Sequence, residues 1–163
     1  MRRRLTGALV AVLALAGCTV NPATGESSFT AFMSEAEERR VGAEEHPKVL
    51  KHFGGAYADS AVAAYVDGIG QSLARGSELS DLRFTFTVID SDVVNAFALP
   101  GGYIYVTRGL MALASSEAEL AGVIAHEIGH MTARHAAQRY SQSLVAGLGA
   151  ALLGAIAGSE AAD

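Results

Sequence analysis

Apolar residues recur along this chain with two periods, and the switches between them divide it into elements. Ser34-x-x-Glu37, with acids at Glu35, Glu37 and Glu38, predicts a helix start, and Pro47 is expected to end or kink that helix. Its dense charge predicts a solvated face, with His46 and His52 turned to solvent. Gly54-Gly55 breaks the chain. Val62, Tyr65, Val66, Ile69 and Leu73 then recur at helical spacing between Asp59 and Arg75, with Tyr65 expected in the core. Residues 83–90 alternate, Phe84, Phe86 and Val88 to one side and Thr85 and Thr87 to the other, as a half-buried strand does. Asn95–Leu99 and Tyr103–Thr107 are further extended runs, and Pro100-Gly101-Gly102 between them suits a type II turn, so a hairpin is expected. A short helix near Leu110–Ala114 follows. Ser116-x-x-Glu119 then opens another helix, with Leu120, Ile124 and Ile128 as its buried stripe, that is expected to run past Arg139. Residues 143–158 are uncharged and rich in small side chains. They fall short of the roughly 20 apolar residues of a spanning helix, which favours a buried or membrane-touching one. The sum is an α+β chain, mainly helical, with a small sheet or hairpin beside the Ser116 helix.

The N-terminus departs from this pattern. Arg2, Arg3 and Arg4 precede an apolar run from Leu5 to Ala16, which closes in Leu15-Ala16-Gly17-Cys18. This resembles a bacterial lipoprotein signal, in which Cys18 becomes the lipidated first residue; an ordinary membrane anchor or a plain signal peptide are the other readings. The chain then divides into a signal at 1–17, a lipidated Cys18 with a Pro-, Gly-, Ser- and Thr-rich tether to residue 33, and a domain over 34–163 that is expected to be incomplete at its C-terminus. Removing residues 1–17 deletes three arginines and no acid, lowering the formal charge from −5 to −8. Thr19 stands where an Asp would suggest retention in the inner membrane, so an outer-membrane anchor facing the periplasm is expected. With a single cysteine there is no intramolecular disulfide, and without a basic cluster after the N-terminus no nucleic-acid partner is expected. A length of 163 residues allows one domain with a modest core.

Candidate chemistry lies in His126-Glu127-Ile128-Gly129-His130. Histidines four apart on a helix share a face and can reach one ion, and Glu127 between them can act as general base on a water of that ion. Catalytic zinc usually takes three protein ligands, and the third is open here. His135 lies about 180° around a straight helix from His126, near the buried stripe. It is read as a hydrogen-bonded structural histidine, or as a support for the ligands if the helix bends. After His130 the only carboxylates are Glu160 and Asp163. The third ligand is therefore Glu160 folded back, an upstream residue, or a residue beyond 163, and the last is favoured. An exposed strand edge within 95–107 could hold an extended peptide, with Asn95, Gly101 and Gly102 as candidate substrate contacts. The plainer alternative is that these glycines only make the turn.

Three runs together, Asn95-Ala96-Phe97-Ala98-Leu99-Pro100-Gly101-Gly102-Tyr103-Ile104-Tyr105-Val106-Thr107-Arg108-Gly109-Leu110, Glu117-Ala118-Glu119-Leu120-Ala121 and Ala125-His126-Glu127-Ile128-Gly129-His130, resemble the HtpX/BepA/Oma-type zinc metalloendopeptidases. The lipidation signal followed by Asn21-Pro22-x-Thr24-Gly25 is similar to their periplasmic lipoprotein branch. The resemblance implies a zincin-like fold, one zinc (Zn2+) per chain, His126 and His130 as its ligands, and Glu127 as catalytic acid/base. It also implies a third ligand, a Glu in a Glu-x-Glu-Ala-Asp-like motif on a later helix. Ser159-Glu160-Ala161-Ala162-Asp163 echoes that motif only superficially, with Ser159 where the ligand would stand. The implied activity is hydrolysis of peptide bonds in misfolded or misassembled envelope proteins, with protein substrates as partners and the membrane reached through the lipid anchor. The competing reading is a non-catalytic lipoprotein chaperone or assembly factor using the same groove, a module that would have no use for the base Glu127.

Overall fold

The computed structural model describes residues 18–160, with side chains through residue 148 and at 150 and 151. The signal segment, the terminal Asp163 and the side chain of Glu160 lie outside the described residues. In chain order the elements are β1 (Cys18–Val20), β2 (Ser27–Phe29), α1 (Glu35–His52), α2 (Ser60–Arg75), β3 (Thr85–Ile89), β4 (Ala96–Leu99), β5 (Tyr103–Thr107), α3 (Arg108–Leu113), α4 (Glu117–Thr132) and α5 (His135–Glu160). The expected α+β class holds.

A three-stranded sheet divides the fold. β5 is central, parallel to β3 and antiparallel to β4, with Leu99 opposite Tyr103 across the hairpin. Alternation sends Phe86, Val88, Ile104 and Val106 to one face, where α2 and α4 cover them with Val66, Ala74, Leu120, Ile124 and Ile128. Val66, Ile104 and Ile124 are fully buried, and each such side chain contributes about 1.5–3 kcal/mol. The opposite face carries Phe97, Tyr103 and Tyr105, and α1 lies over it. Phe97 stacks on Tyr105 at 4.8 Å, Phe53 meets Phe97 at 5.3 Å, and His46 stacks on Tyr103 at 4.9 Å. The His46 Nδ1 and the Tyr105 hydroxyl are 2.7 Å apart. His46 is thus packed against the sheet and not turned to solvent, because ring stacking and that hydrogen bond outweigh the charge around it.

The first helix is capped where the sequence places it, and the structure adds a cap at Asp59. Ser34 accepts from the Glu37 amide at 3.2 Å, and Asp59 accepts from Ala61 and Val62 at 2.9 and 3.1 Å. Pro47, however, lies inside α1 and does not end it. Its missing N–H forfeits one helical bond, while His46 and Phe53 on either side anchor the helix to the sheet. Tyr65, placed in the core by spacing alone, is 44% exposed, and its hydroxyl donates to Glu117 across the α2–α4 seam at 3.1 Å. A phenol at the rim of the stripe keeps its polar end where a partner can reach it.

Residues 18–33, read as a lipidated cysteine and tether, form an antiparallel hairpin that docks on the last helix. Met33 and Thr30 are buried, and the Phe32 amide donates to Ser141 Oγ at 3.3 Å. Cys18 is exposed at the start of β1. No helix among the described residues is long and apolar enough to cross a membrane.

Candidate metal centre

The platform for the site is α4. Ser116 accepts from the Glu119 amide at 3.3 Å, and the Glu119 carboxylate accepts from the Ser115 amide at 2.7 Å, so both residues serve the helix start. Leu120, Ile124 and Ile128 seat the helix on the core. At 3.6 residues per turn, Glu127 falls on the buried side beside Ile128. His126 is exposed and His130 half-buried. Their rings lie 4.4 Å apart edge to face, and His126, Glu127 and His130 offer ligand atoms within 4.8 Å of one another. Among the described residues this is the one group of three or more such side chains close enough to share an ion. Two imidazoles are donors that suit a zinc ion and leave positions for a further ligand and for a water that the Glu127 carboxylate could reach.

Electrostatics favour Glu127 as a proton acceptor. Burial raises its carboxyl above the ordinary carboxylate value, opposed by positive charge at His130 and His126. A carboxylate that holds its proton more tightly is the better base near neutral pH.

The helix does not continue past Arg139 as the apolar spacing implies. It stops at Thr132, Ala133 caps it, Arg134 takes a left-handed φ of 52°, and α5 starts afresh at His135. Long-range partners hold this break. The Arg134 guanidinium donates to the Met33 carbonyl at 2.7 Å and pairs with Glu38 at 3.1 Å. The turn brings His135 back, so its Nδ1 lies 2.7 Å from His130 Nδ1. Burial first, then the positive groups at His130, Arg139 and His126, lowers the pKa of His135 below the usual imidazole value. Sequence spacing alone could not find this contact, because a straight helix would put His135 on the far side.

Beside the site opens a cleft of about 1040 Å³, lined by His130, Met131 and His135 on one side and by Ala98, Leu99 and Gly101 on the other. Among the described residues β4 pairs with β5 alone, leaving its outer edge available beside α4. Asn95 is exposed, and its main chain is fixed by Thr107: the Thr107 amide donates to the Asn95 carbonyl, and the Asn95 amide donates to Thr107 Oγ1 at 3.1 Å. Gly101 and Gly102 have φ of 80° and 103°, and a Cβ on them would strike the main chain at Arg39 and Arg83 respectively. The turn geometry and these close approaches require glycine at both positions. Gly101 also lines the cleft.

Comparison with known proteins gives the same centre a family. Peptidase family M48 matches residues 60–163. The Beta-barrel assembly-enhancing protease of Escherichia coli K12 is 29% identical over 147 residues, covering 85% of this chain and 30% of that protein. A Vibrio cholerae relative, whose name ascribes the same role provisionally, is 41% identical over 109 residues, 63% of this chain and 22% of its own length. The mitochondrial metalloendopeptidase OMA1 of Schizosaccharomyces pombe is 33% identical over 104 residues, 63% of this chain and 31% of that protein. The chain spans less than a third of the length of these relatives.

Proposed function

The chain belongs to peptidase family M48, and from that premise we propose that it carries the catalytic helix of a zinc-dependent metalloendopeptidase of the bacterial envelope, one that cleaves misfolded or misassembled proteins. The observation that carries this reading is the convergence of His126, Glu127 and His130, whose ligand atoms lie within 4.8 Å of one another with Glu127 buried, His130 half-buried and His126 exposed. His126 and His130 would hold the metal. When bound, zinc supplies a Lewis acid for the scissile carbonyl and a water of lowered pKa. Glu127 takes the proton from the attacking water at its carboxylate and returns it to the leaving amine. The β4 edge beside α4 offers main-chain groups to an extended peptide, which would lie along the cleft past Ala98 and Gly101. The name of the Escherichia coli relative supports an envelope setting, as does the N-terminal pattern ending in Cys18. In this reading Cys18 carries the lipid, residues 18–33 lead from the membrane to the domain, and His126 and His130 are two members of the ligand set.

The test is cleavage of an unfolded protein such as casein by the full-length gene product, with and without zinc. Zinc-dependent cleavage that Glu127→Gln abolishes is the expected result. A full-length protein that binds casein and never cleaves it would favour the chaperone reading instead.

A further inference from the structure

We propose that His135 is a positioning residue for the metal centre: its Nδ1 accepts a hydrogen bond from His130 Nδ1–H, fixing the tautomer that leaves His130 Nε2 free to bind the ion. The inference rests on the reading of His130 as a metal ligand and adds a residue to that site.

The geometry excludes the obvious alternative, that His135 is itself the third ligand through the atom facing His130. Two imidazole nitrogens on one tetrahedral zinc, each about 2.05 Å from it, stand roughly 3.3 Å apart. The two Nδ1 atoms are 2.7 Å apart, a separation that holds a proton and leaves no place for an ion between them. One Nδ1 must therefore donate and the other accept. If His135 donated, His130 would carry its proton on Nε2, and neither of its nitrogens would have a lone pair for a metal. With His130 donating through Nδ1, its Nε2 lone pair is left available for the ion. Metal-binding histidines commonly donate their second N–H to an acceptor that sets the ring's orientation, and here another imidazole fills that place.

The local fold makes this arrangement specific. The rings of His130 and His135 lie 4.8 Å apart at a tilt of 55°. They meet only because the helix breaks at Ala133–Arg134, and Arg134 holds that break through Met33 and Glu38. His135 is then the first residue of a new helix, placed by a tertiary contact and not by helical periodicity.

The test uses the metal-free 163-residue chain labelled with 15N-histidine, whose five imidazoles are few enough to assign. Two-bond 15N–1H correlation spectra, taken where the rings are neutral, report the tautomer of His130 directly. The expected result is Nδ1–H in the wild type, a shift toward Nε2–H in His135→Phe, and return of Nδ1–H in His135→Gln, whose amide oxygen can accept the same bond. Chelator competition with zinc alone should show affinity falling about 10–100-fold in His135→Phe, with His135→Gln recovering most of it. Nε2–H at His130 in the wild type overturns the proposal, and that reading needs no variant to fold. A tautomer and zinc affinity unchanged in His135→Phe overturn it equally. Failure of the peptidase reading would appear separately, as the absence of zinc-dependent cleavage, whatever the tautomer.

Discussion

Glu38 and Arg134, 96 positions apart in sequence, meet as a nearly buried ion pair at 3.1 Å, with 13% and 17% of their side chains exposed. The pair joins the first turn of α1 to the break between α4 and α5, so it fixes the segment that follows His130. Burial raises the Glu38 carboxyl above its ordinary value even with the guanidinium beside it; desolvation outweighs attraction. A carboxyl raised on folding favours the fold while protonated. Its contribution is complete below the unfolded value of 4.5 and is lost as pH rises through the higher folded one. The wild type should therefore gain stability relative to Glu38→Gln as pH falls from about 7 to about 4. Urea titrations of both proteins at the two ends of that range check the sign. A wild type that instead loses ground on acidification would mean the attraction wins.

Gly42 is the one buried residue of α1, and a Cβ there would run into the Pro100 carbonyl and the Tyr103 ring. Alanine usually gains about 1 kcal/mol over glycine inside a helix. Here the obstacle is a backbone carbonyl in a tight turn, which cannot swing aside as a flexible side chain would. Overpacking of this kind costs about 1–3 kcal/mol, so Gly42→Ala should be neutral to destabilising by up to about 2 kcal/mol net. Chemical denaturation measures it. A clear gain in stability would show that α1 sits more loosely on the 100–101 turn.

Much of this architecture is written in local pattern. The Leu120–Ile124–Ile128 stripe, the Ser34 and Ser116 caps, the Phe84–Phe86–Val88 alternation and the Pro100-Gly101-Gly102 turn depend on near neighbours, and each is found where spacing puts it. What spacing cannot carry is a decision made by a distant partner. Pro47 stays helical and His46 packs inward because α1 is pinned to the aromatic face of the sheet. Tyr65 turns outward toward Glu117 on another helix. The break at Arg134 depends on Met33 and Glu38, about a hundred residues upstream. In the metal centre the same division holds: His126, Glu127 and His130 are legible from their spacing, while the contact of His135 with His130 exists only through the break.

Thr107 ties the approach to the β4 edge. Its fully buried hydroxyl lies 2.5 Å from the Val93 carbonyl and 2.8 Å from the Asn95 carbonyl, and accepts from the amides of Asn95 and Leu110. Valine has nearly the same shape and none of these bonds. Thr107→Val should cost about 1–3 kcal/mol, the usual penalty for stranding buried polar groups. Amide exchange at Asn95 and Leu110 should speed up ahead of the core strands, which separates loosening of this corner from a general loss of stability. Exchange unchanged at both amides would show that other partners hold the loop.

Glu127 offers the sharpest separation of chemistry from structure. Its carboxylate is buried beside two imidazoles, so an isosteric Gln keeps the shape and removes the proton acceptor. In the full-length protein, Glu127→Gln should lower cleavage of unfolded protein by about 10²–10⁴-fold, the usual contribution of a general base. Zinc should stay bound, since His126 and His130 are untouched, whereas His126→Ala should lose metal and activity together. The pair of variants distinguishes two roles for the carboxylate. If Glu127→Gln sheds zinc as His126→Ala does, the carboxylate is a ligand, the proton must be taken by another group, and the buried position of Glu127 serves to hold the ion instead of to activate water.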